Sequence, residues 1–599
     1  MRGSSDVDRG VPVPVDGTLI ANPERAMERD RGASAAGARR RRVARIALVC
    51  VSCGSLALSL RVPHLSESLW LDELHTAWVA TGPFDQIARR AALGNQAPVY
   101  FVAEWLIARA ATPSETTLRI ASLVLGVALI AVTGFLAYHA TRSTAWGFLA
   151  ACAGAIDSHW VFYSVEARPY AAVQFLGLLH GALFVRQMRG GAGWAPRAAH
   201  VITGGLMFWF HYTASLLLAA EGVAALVLLV RSRRSRAIAA SVVGQLILIG
   251  AIGSPALPHL AAIASRAPAW SELGAPGSPW KILDMLHGGA YAIPLLVIFV
   301  WDSILRQLRL TNEGDSVRDA RRSNWAALSV WIAPPVLAWL VARHAGVPIF
   351  MNRYVAAASA APILLAARLA GQLDSALPRR IAVIAFACST LYVNHVRLFQ
   401  WNETPAPPRT EDWRAMIHHL NRMRGEERRA YPILVRAGLI ETDAPEGWAR
   451  DTDESNAYLT FPLRSIYPLE PPADPIPIGN ASDFTLPPAE LALVAEAGGA
   501  WLVVRGPPRR GTDYAARLAE LLGEPWRTVA HHVHGTVQLL RVEPINGEPV
   551  SVRVETATGV RTEARPSHRT RIRADGRPSA RRRSWLRTSR RPSVRRASR

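Results

Sequence analysis

The chain has 599 residues, of which 50% are hydrophobic and 19 are Trp, and the apolar residues are bunched into long runs. That pattern excludes an ordinary soluble globule and points to a polytopic membrane protein. The net charge is +22, but residues 561–599 hold 15 Arg against Glu563 and Asp575 and so supply +13 of it; the basicity is mostly a property of the tail.

In chain order, residues 1–38 are rich in Gly, Pro, Ala and charge and read as a disordered cytoplasmic leader. Arg39 to Arg42 and the apolar run Val43 to Leu60 follow. No small-residue cleavage site precedes Arg61, so this run is expected to stay as the first helix, with its N-terminus inside. The outer loop, residues 63–97, then carries "LWLDELHTAWVA" (Leu69 to Ala80).

Further apolar runs cover about 98–112, 118–138, 145–162, 170–186, 198–230, 237–252, 288–305, 325–343, 355–371 and 381–396. The arginine-rich connections "RSRRSR" (Arg231 to Arg236), "RQLRLTNEGDSVRDARR" (Arg306 to Arg322) and "LPRR" (Leu377 to Arg380) are expected inside. They place loop 253–287, Arg353 and everything after about residue 397 outside. The run 198–230 is long for one span and is broken by "FHYT" (Phe210 to Thr213). The preferred reading is two short helices meeting at the outer surface, with "SVEARPY" (Ser164 to Tyr170) outside and 98–112 not fully crossing. The alternative lets 98–112 cross, makes 198–230 one tilted span and puts Glu166 inside.

The fold expected is mainly α: a polytopic membrane helix bundle of about 11 to 12 spans over residues 39–399, followed by a small extracytoplasmic α/β domain over 400–545 and a disordered Arg-rich tail over 546–599. In the domain, Glu411 to Met423 reads as an amphipathic helix, "YPILVRAGL", "AWLVVRG" and "TVQLLRV" as strands, and "GTDYAARLAELLGE" as a capped helix between the last two. Cys50, Cys53, Cys152 and Cys388 lie in apolar segments and are expected to be core residues without disulfides.

Four groups stand out because ionisable side chains at the edge of an apolar run are costly unless they face water, a partner or a ligand. They are Asp72 with Glu73; Glu166, Arg168 and Tyr170; His211 with Tyr212; and Arg353 with Tyr354. A carboxylate near the membrane surface can take a proton from an attacking hydroxyl or hold a metal, and Asp72 is the choice for base. Neighbouring acids on a helix point different ways, so one can act on substrate while the other hydrogen-bonds the fold. Arg168 and Arg353 suit a lipid-linked phosphate. His531, His532 and His534 read as a strand edge, since no further ligand flanks them.

The stretches "LWLDELHTAWVA", "QAPVYFVAEWLIARAATPSETTLRIASLVLG", "YSVEARPYAAVQFLGLL", "FHYTASLLL", "FMNRYVAAASAAPILLAA" and "EDWRAM" occur in the order seen in GT-C glycosyltransferases. The chain resembles glycosyltransferase family 39 and its relatives, which include protein O-mannosyltransferases and aminoarabinose transferases, over about residues 43–420. The resemblance implies transfer of a sugar from a polyprenyl-phosphate donor to an acceptor hydroxyl on a lipid, glycan or protein at the extracytoplasmic face of a bacterial inner membrane. It implies Asp72 and Glu73 as catalytic residues and Arg168 and Arg353 as donor-phosphate ligands. Glu166, Tyr170, His211 and Tyr354 are the expected substrate pocket, and a divalent metal is a possible cofactor. One departure is that Gln96 and Ala97 stand where many relatives have the first two residues of a His-Pro-Pro stretch. A transporter or lipid flippase and a non-catalytic membrane scaffold are the rival readings. With the tail outside, membrane lipids are expected partners and nucleic acid is not.

Overall fold

The computed structural model describes residues 48, 51–190, 192–229, 233–266, 276–286, 288–307, 315–373, 375–399, 410–427, 429–439, 453–480, 483–523, 525–545 and 554–556. The leader 1–38, Arg39 to Arg42, Cys50 and nearly all of the tail from 546 lie outside them.

Helix α1 covers residues 51–59, and three short helices follow: α2 (Leu71–Ala80), α3 (Ile87–Leu93) and α4 (Val99–Ala110). Helix α5 (Glu115–Thr141) starts at Ser114, whose hydroxyl accepts from Thr117 N at 3.2 Å, and stops where Arg142 turns left-handed at φ 55°. It packs on α6 (Thr144–Ile156) through glycine: a Cβ on Gly134 would sit 2.9 Å from the Gly147 carbonyl oxygen. Asp157 caps α7 (Ser158–Ser164), accepting from His159 N and Trp160 N at 3.1 Å each. Then come α8 (Tyr170–Gln187), α9 (Trp194–Phe210), α10 (Ser215–Leu229), α11 (Arg233–Gly253), α12 (Leu257–Arg266), α13 (Lys281–Met285), α14 (Gly289–Gln307), α15 (Asp315–Ala345), α16 (Ala361–Gly371) and α17 (Ala376–Phe399).

Among the described residues six helices are long and apolar enough to cross a membrane: Glu115–Thr141, Tyr212–Leu229, Ser235–Arg266, Asp319–Ala345, Asn352–Gly371 and Ala376–Asn394. The chain is a multi-pass membrane protein. The described residues of the apolar run, 198–229, form two helices, because His211 leaves the helix with φ −159° and ψ 118°. Helix α4 spans about 18 Å at 1.5 Å per residue, short of a bilayer core, and packs against α2 instead. Cys53 lies 3.8 Å from Cys152 of α6, sulfur to sulfur.

The C-terminal part begins with α18 (Trp413–Glu426) and carries a six-stranded sheet in the order β2-β1-β3-β5-β4-β6. The strands are β1 (Ile433–Arg436), β2 (Ile476–Pro477), β3 (Ala500–Arg505), β4 (Trp526–His534), β5 (Val537–Pro544) and β6 (Val554–Thr556). Parallel pairing joins β2, β1 and β3; β3 to β5 and β5 to β4 are antiparallel. Strand β1 holds Leu434 opposite Leu502, and β3 holds Leu502 opposite Leu540, so one apolar row crosses the sheet centre. Among the described residues it also holds the helices α19 (Asp453–Leu459), α20 (Pro488–Ala497) and α21 (Pro508–Leu522).

One core joins this domain to α2, α3 and α4: Leu74, Trp78, Phe101, Trp413, Ile417, Tyr458, Phe461 and Val503 are buried together. Polar contacts tighten the seam. Leu71 N donates to Glu411 Oε2 at 3.0 Å, and Glu411 also accepts from Trp413 Nε1 at 2.8 Å and Arg505 Nε at 2.7 Å. Arg414 reaches Glu115 at 2.9 Å, and Tyr467 links Glu115 and Leu69 N. The N-cap of α2 is Trp70, whose side chain caps no N–H of the first turn, so Leu71 N takes its acceptor from Glu411. The domain therefore lies on the same side of the bundle as Asp72.

Beneath α2, Glu73 and Arg119 of α5 form an ion pair at 2.5 Å with neither side chain exposed. Arg119 also donates to the carbonyls of Leu65 at 2.9 Å and Ser68 at 3.3 Å, and Glu73 accepts from Ala167 N at 2.8 Å. Glu104 is buried close by, and burial, with the Glu73 charge adding to it and Tyr100 opposing, pushes its carboxyl up to about 8.

Removing one partner of a buried pair leaves the other charge uncompensated. Glu73→Gln is expected to cost about 3–5 kcal/mol, read as a lowered midpoint of thermal unfolding in detergent. Glu73→Leu combined with Arg119→Met is expected to lose less than either single change. Glu104 works in the opposite sense to a paired acid. With its folded pKa raised, the protein is expected to lose stability as pH rises from the unfolded value of about 4.3 through about 8. Glu104→Gln is expected to flatten that slope, measured by unfolding at a series of pH values.

Candidate functional site

Asp72 is the second residue of α2, and its neighbour Glu73 is fixed underneath. Helix geometry sets successive side chains about 100° apart, so locking Glu73 inward turns Asp72 outward. Its side chain is 27% exposed where that of Glu73 is 0% exposed, and only Asp72 of the two is reachable. The carboxylate of Glu73, expected as a catalytic residue, is taken by Arg119 and Ala167 N.

Three distant segments meet at Asp72. Arg353, in the 3-10 segment Asn352–Ala358, donates from Nη1 to Asp72 Oδ2 at 3.2 Å. Arg168, just before α8, brings Nη2 to 4.0 Å from the same oxygen and donates from Nη1 to the Asp72 carbonyl at 3.2 Å. Arg168 is buried, whereas the Arg353 side chain is 34% exposed. Burial raises the Asp72 pKa, but Arg168, then Arg353, outweigh it and hold the carboxyl below its ordinary value. The carboxylate is ionised at neutral pH.

The Arg168 and Arg353 segments are held together by close backbone contact. A Cβ on Gly177 of α8 would lie 2.2 Å from the Ala357 carbonyl oxygen, so α8 and the Arg353 segment touch where only glycine fits. Gln174 Nε2 donates to Ser359 Oγ at 3.1 Å beside it.

An aromatic wall runs from the arginines. Tyr163 lies 5.0 Å from Tyr170, Tyr170 5.5 Å from His211, and His211 5.7 Å from Tyr354, centroid to centroid. The Arg353 guanidinium sits 5.3 Å over the Tyr354 ring. His211 Nδ1 accepts from Thr213 N at 3.4 Å, so Nε2 carries the proton; that N–H is buried and has no protein acceptor. Glu166 is buried in the same turn, its carbonyl accepting from Arg168 N at 2.7 Å. The sequence-based set Asp72, Glu166, Arg168, Tyr170, His211, Arg353 and Tyr354 is therefore one neighbourhood.

Other expected features fall elsewhere. Tyr212 bonds His259 at 2.9 Å rather than facing Asp72. Gln96 folds back on Gly94 at 3.3 Å, and Ala97 packs with Tyr212 and Ala256. His531 bonds Gln538 at 3.0 Å, and His534 meets His419 of α18 at 3.1 Å. A histidine from another element does flank this cluster, which corrects the expectation that none would. It was invisible from spacing because 115 positions separate the two. A cavity of about 260 Å³ lies between α5, α8, α15 and α16, lined by Leu178, Val185, Val330 and Leu364 with Arg186, Arg189 and Arg368 at one end. It does not reach Asp72.

Sequence reasoning missed a second polar cluster. His180 of α8, His200 of α9 and Glu221 of α10 converge, each fully buried. Each sits inside an apolar helix, and their spacing carries no motif.

No protein-family model matches the chain, and no curated protein matches it. Solved structures do. ArnT from Cupriavidus metallidurans, bound to undecaprenyl phosphate, is 12% identical over 83% of this chain and 97% of that one, with a TM-score of 0.42. The oligosaccharyltransferase AglB from Archaeoglobus fulgidus, in complex with an inhibitory peptide and a dolichol-phosphate, is 10% identical over 65% of this chain and 62% of that one, with a TM-score of 0.39. The Archaeoglobus fulgidus oligosaccharyltransferase in the apo form is 12% identical over 82% and 74%, with a TM-score of 0.41. These are proteins the chain is similar to.

Proposed function

We propose that the protein is a membrane glycosyltransferase that moves a monosaccharide from a polyprenyl-phosphate donor to an acceptor hydroxyl at the extracytoplasmic face. The observation that carries this reading is the meeting of Asp72, Arg168 and Arg353 on one oxygen atom, at a partly open site walled by aromatic rings. In this reading the bundle has about 11 to 12 spans, counting short or polar helices such as α8 and α9. In the same reading the domain of residues 400–545 is extracytoplasmic, which the packing of its described residues on α2 beside Asp72 supports.

The donor phosphate competes with Asp72 for the guanidiniums. Phosphate presents more oxygens to a planar fork than one carboxylate oxygen does, so binding it draws Arg168 and Arg353 away and frees Asp72. The freed carboxylate then takes the proton from the acceptor hydroxyl. The acceptor oxygen bonds to the anomeric carbon as that carbon's bond to the phosphate oxygen breaks. The leaving polyprenyl phosphate keeps the bonding electrons, and the two arginines balance its charge. The His211 Nε2–H, buried without a protein acceptor on a ring between Tyr170 and Tyr354, suits a sugar hydroxyl. A divalent metal fits poorly beside Asp72, since two guanidiniums supply the positive charge and Glu73 is consumed by Arg119.

The broken helix at His211, beside ionisable groups, is the feature a transporter would share. Transfer of radiolabelled sugar from membranes preloaded with polyprenyl-phosphate monosaccharides separates the two. Asp72→Asn is expected to lower turnover at least about 100-fold with donor binding retained, and Arg353→Ala to weaken donor binding. Equal turnover of Asp72→Asn and the native chain would remove Asp72 from the chemistry. Sugar-lipid moved across the bilayer without transfer would favour the transporter.

A further inference from the structure

The His180, His200 and Glu221 cluster is separate from Asp72 and independent of the proposed reaction. His180 lies ten residues along α8 from Tyr170, about 15 Å down the helix axis. From the turn that joins α8 to α9, His200 is about 9 Å away along its axis. Glu221 Oε2 lies 3.1 Å from His180 Nε2 and 3.0 Å from His200 Nε2, and none of the three side chains is exposed.

The protons decide what this cluster can be. His180 Nδ1 is 3.1 Å from the His200 carbonyl oxygen, which only accepts, so Nδ1 carries a hydrogen. Thr203 Oγ1, also 3.1 Å from Nδ1, donates its own proton to the Ala199 carbonyl at 2.8 Å and leaves a lone pair toward the ring. In the neutral ring, Nε2 therefore presents a lone pair straight at a carboxylate oxygen. That arrangement repels unless the ring is protonated or a cation lies between. The His180 and His200 rings stack at 4.0 Å with 16° between their planes, so both imidazoles stand beside the same carboxylate. On the carboxylate, Oε1 is buried with no protein partner.

We propose that His180, His200 and Glu221 form a buried binding site for a divalent transition-metal ion of the zinc class, tying α8, α9 and α10 together. Two imidazole Nε2 atoms and both oxygens of Glu221 make a four-donor N2O2 set, suited to zinc. Donor atoms around tetrahedral zinc stand about 3.3 Å apart, close to the 3.0 and 3.1 Å found. The Nδ1–H of His180 bonded to a carbonyl is the outer-shell contact that fixes a metal-ligating tautomer. Bidentate coordination also satisfies Oε1. Space for the ring depends on α9, where a Cβ on Gly204 would lie 2.8 Å from His180 Cε1. The site holds no ligand from the His419 and His534 cluster, so the two can be tested apart.

The test is zinc content of the full-length chain in detergent, purified without chelator, loaded with Zn2+ and desalted. About one zinc per chain is expected, falling to background in Glu221→Gln and in His200→Gln, and unchanged in His532→Gln. Background zinc in the native chain would overturn the proposal and leave an imidazolium–carboxylate cluster. So would zinc kept by both Glu221→Gln and His200→Gln. Should those variants not fold, X-ray absorption on the zinc-loaded native chain decides. Two imidazoles with carboxylate oxygen, at about 2.0–2.2 Å, support the site; three imidazoles or any sulfur would overturn it.

Discussion

The ion pair between Glu73 and Arg119 is the constraint on which the site depends. Asp72 faces the open side because Glu73 faces the closed one, and Arg119 supplies both the charge and the donors that hold the preceding loop. A pair this deep gains little net stability over well-packed apolar residues, but it tolerates no loss of one partner. Its value is positional. The same Glu73 oxygen that meets Arg119 Nε also accepts from Ala167 N, one residue before Arg168. One carboxylate thereby orients the outward acid and places the arginine that faces it.

A second constraint comes from the far end of the chain. Glu411 and Tyr467 accept or bridge N–H groups at the start of α2, and the shared apolar core around Trp78, Trp413 and Phe461 buries the rest of the helix face. His75 is part of that face, ringed by Phe101, Tyr458 and Phe461 within 6 Å, and burial, reinforced by Arg168, lowers its pKa to about 3. It is a neutral packing residue. The domain is thus one wall of the site-bearing helix and not an appendage.

Much of the site was legible because charge at the edge of an apolar run is conspicuous in a one-dimensional sequence. Asp72, Arg168 and Arg353 were found that way, and the structure brings them together. The division of labour between Asp72 and Glu73 was only half legible: alternate facing follows from helix geometry, but which acid turns inward depends on Arg119, 46 residues away. Arg119 itself sits in a long apolar helix with nothing local to mark it. His180, His200 and Glu221 escaped for the same reason, as single polar residues on three helices. In the C-terminal domain, strands β1, β3 and β5 were legible as apolar runs and α18 as an amphipathic helix. Of β4 only the histidine end was read as strand; its start at Trp526 was not, since "TVAHHVH" mixes polarity without a clean alternation, and β2 has only two residues.

The docking of Glu411 on Leu71 also imposes an order in time. The N–H and its acceptor are 340 residues apart, and Tyr467 lies 398 residues beyond Leu69. At 5–20 residues per second, synthesis separates Leu71 from Glu411 by roughly 20–70 s. Throughout that interval the helix bearing Asp72 lacks the acceptor for Leu71 N and the cover for one apolar face. A nascent bundle that already holds Arg119 and Arg168 can orient Asp72, but only release of the last third of the chain closes the wall behind it.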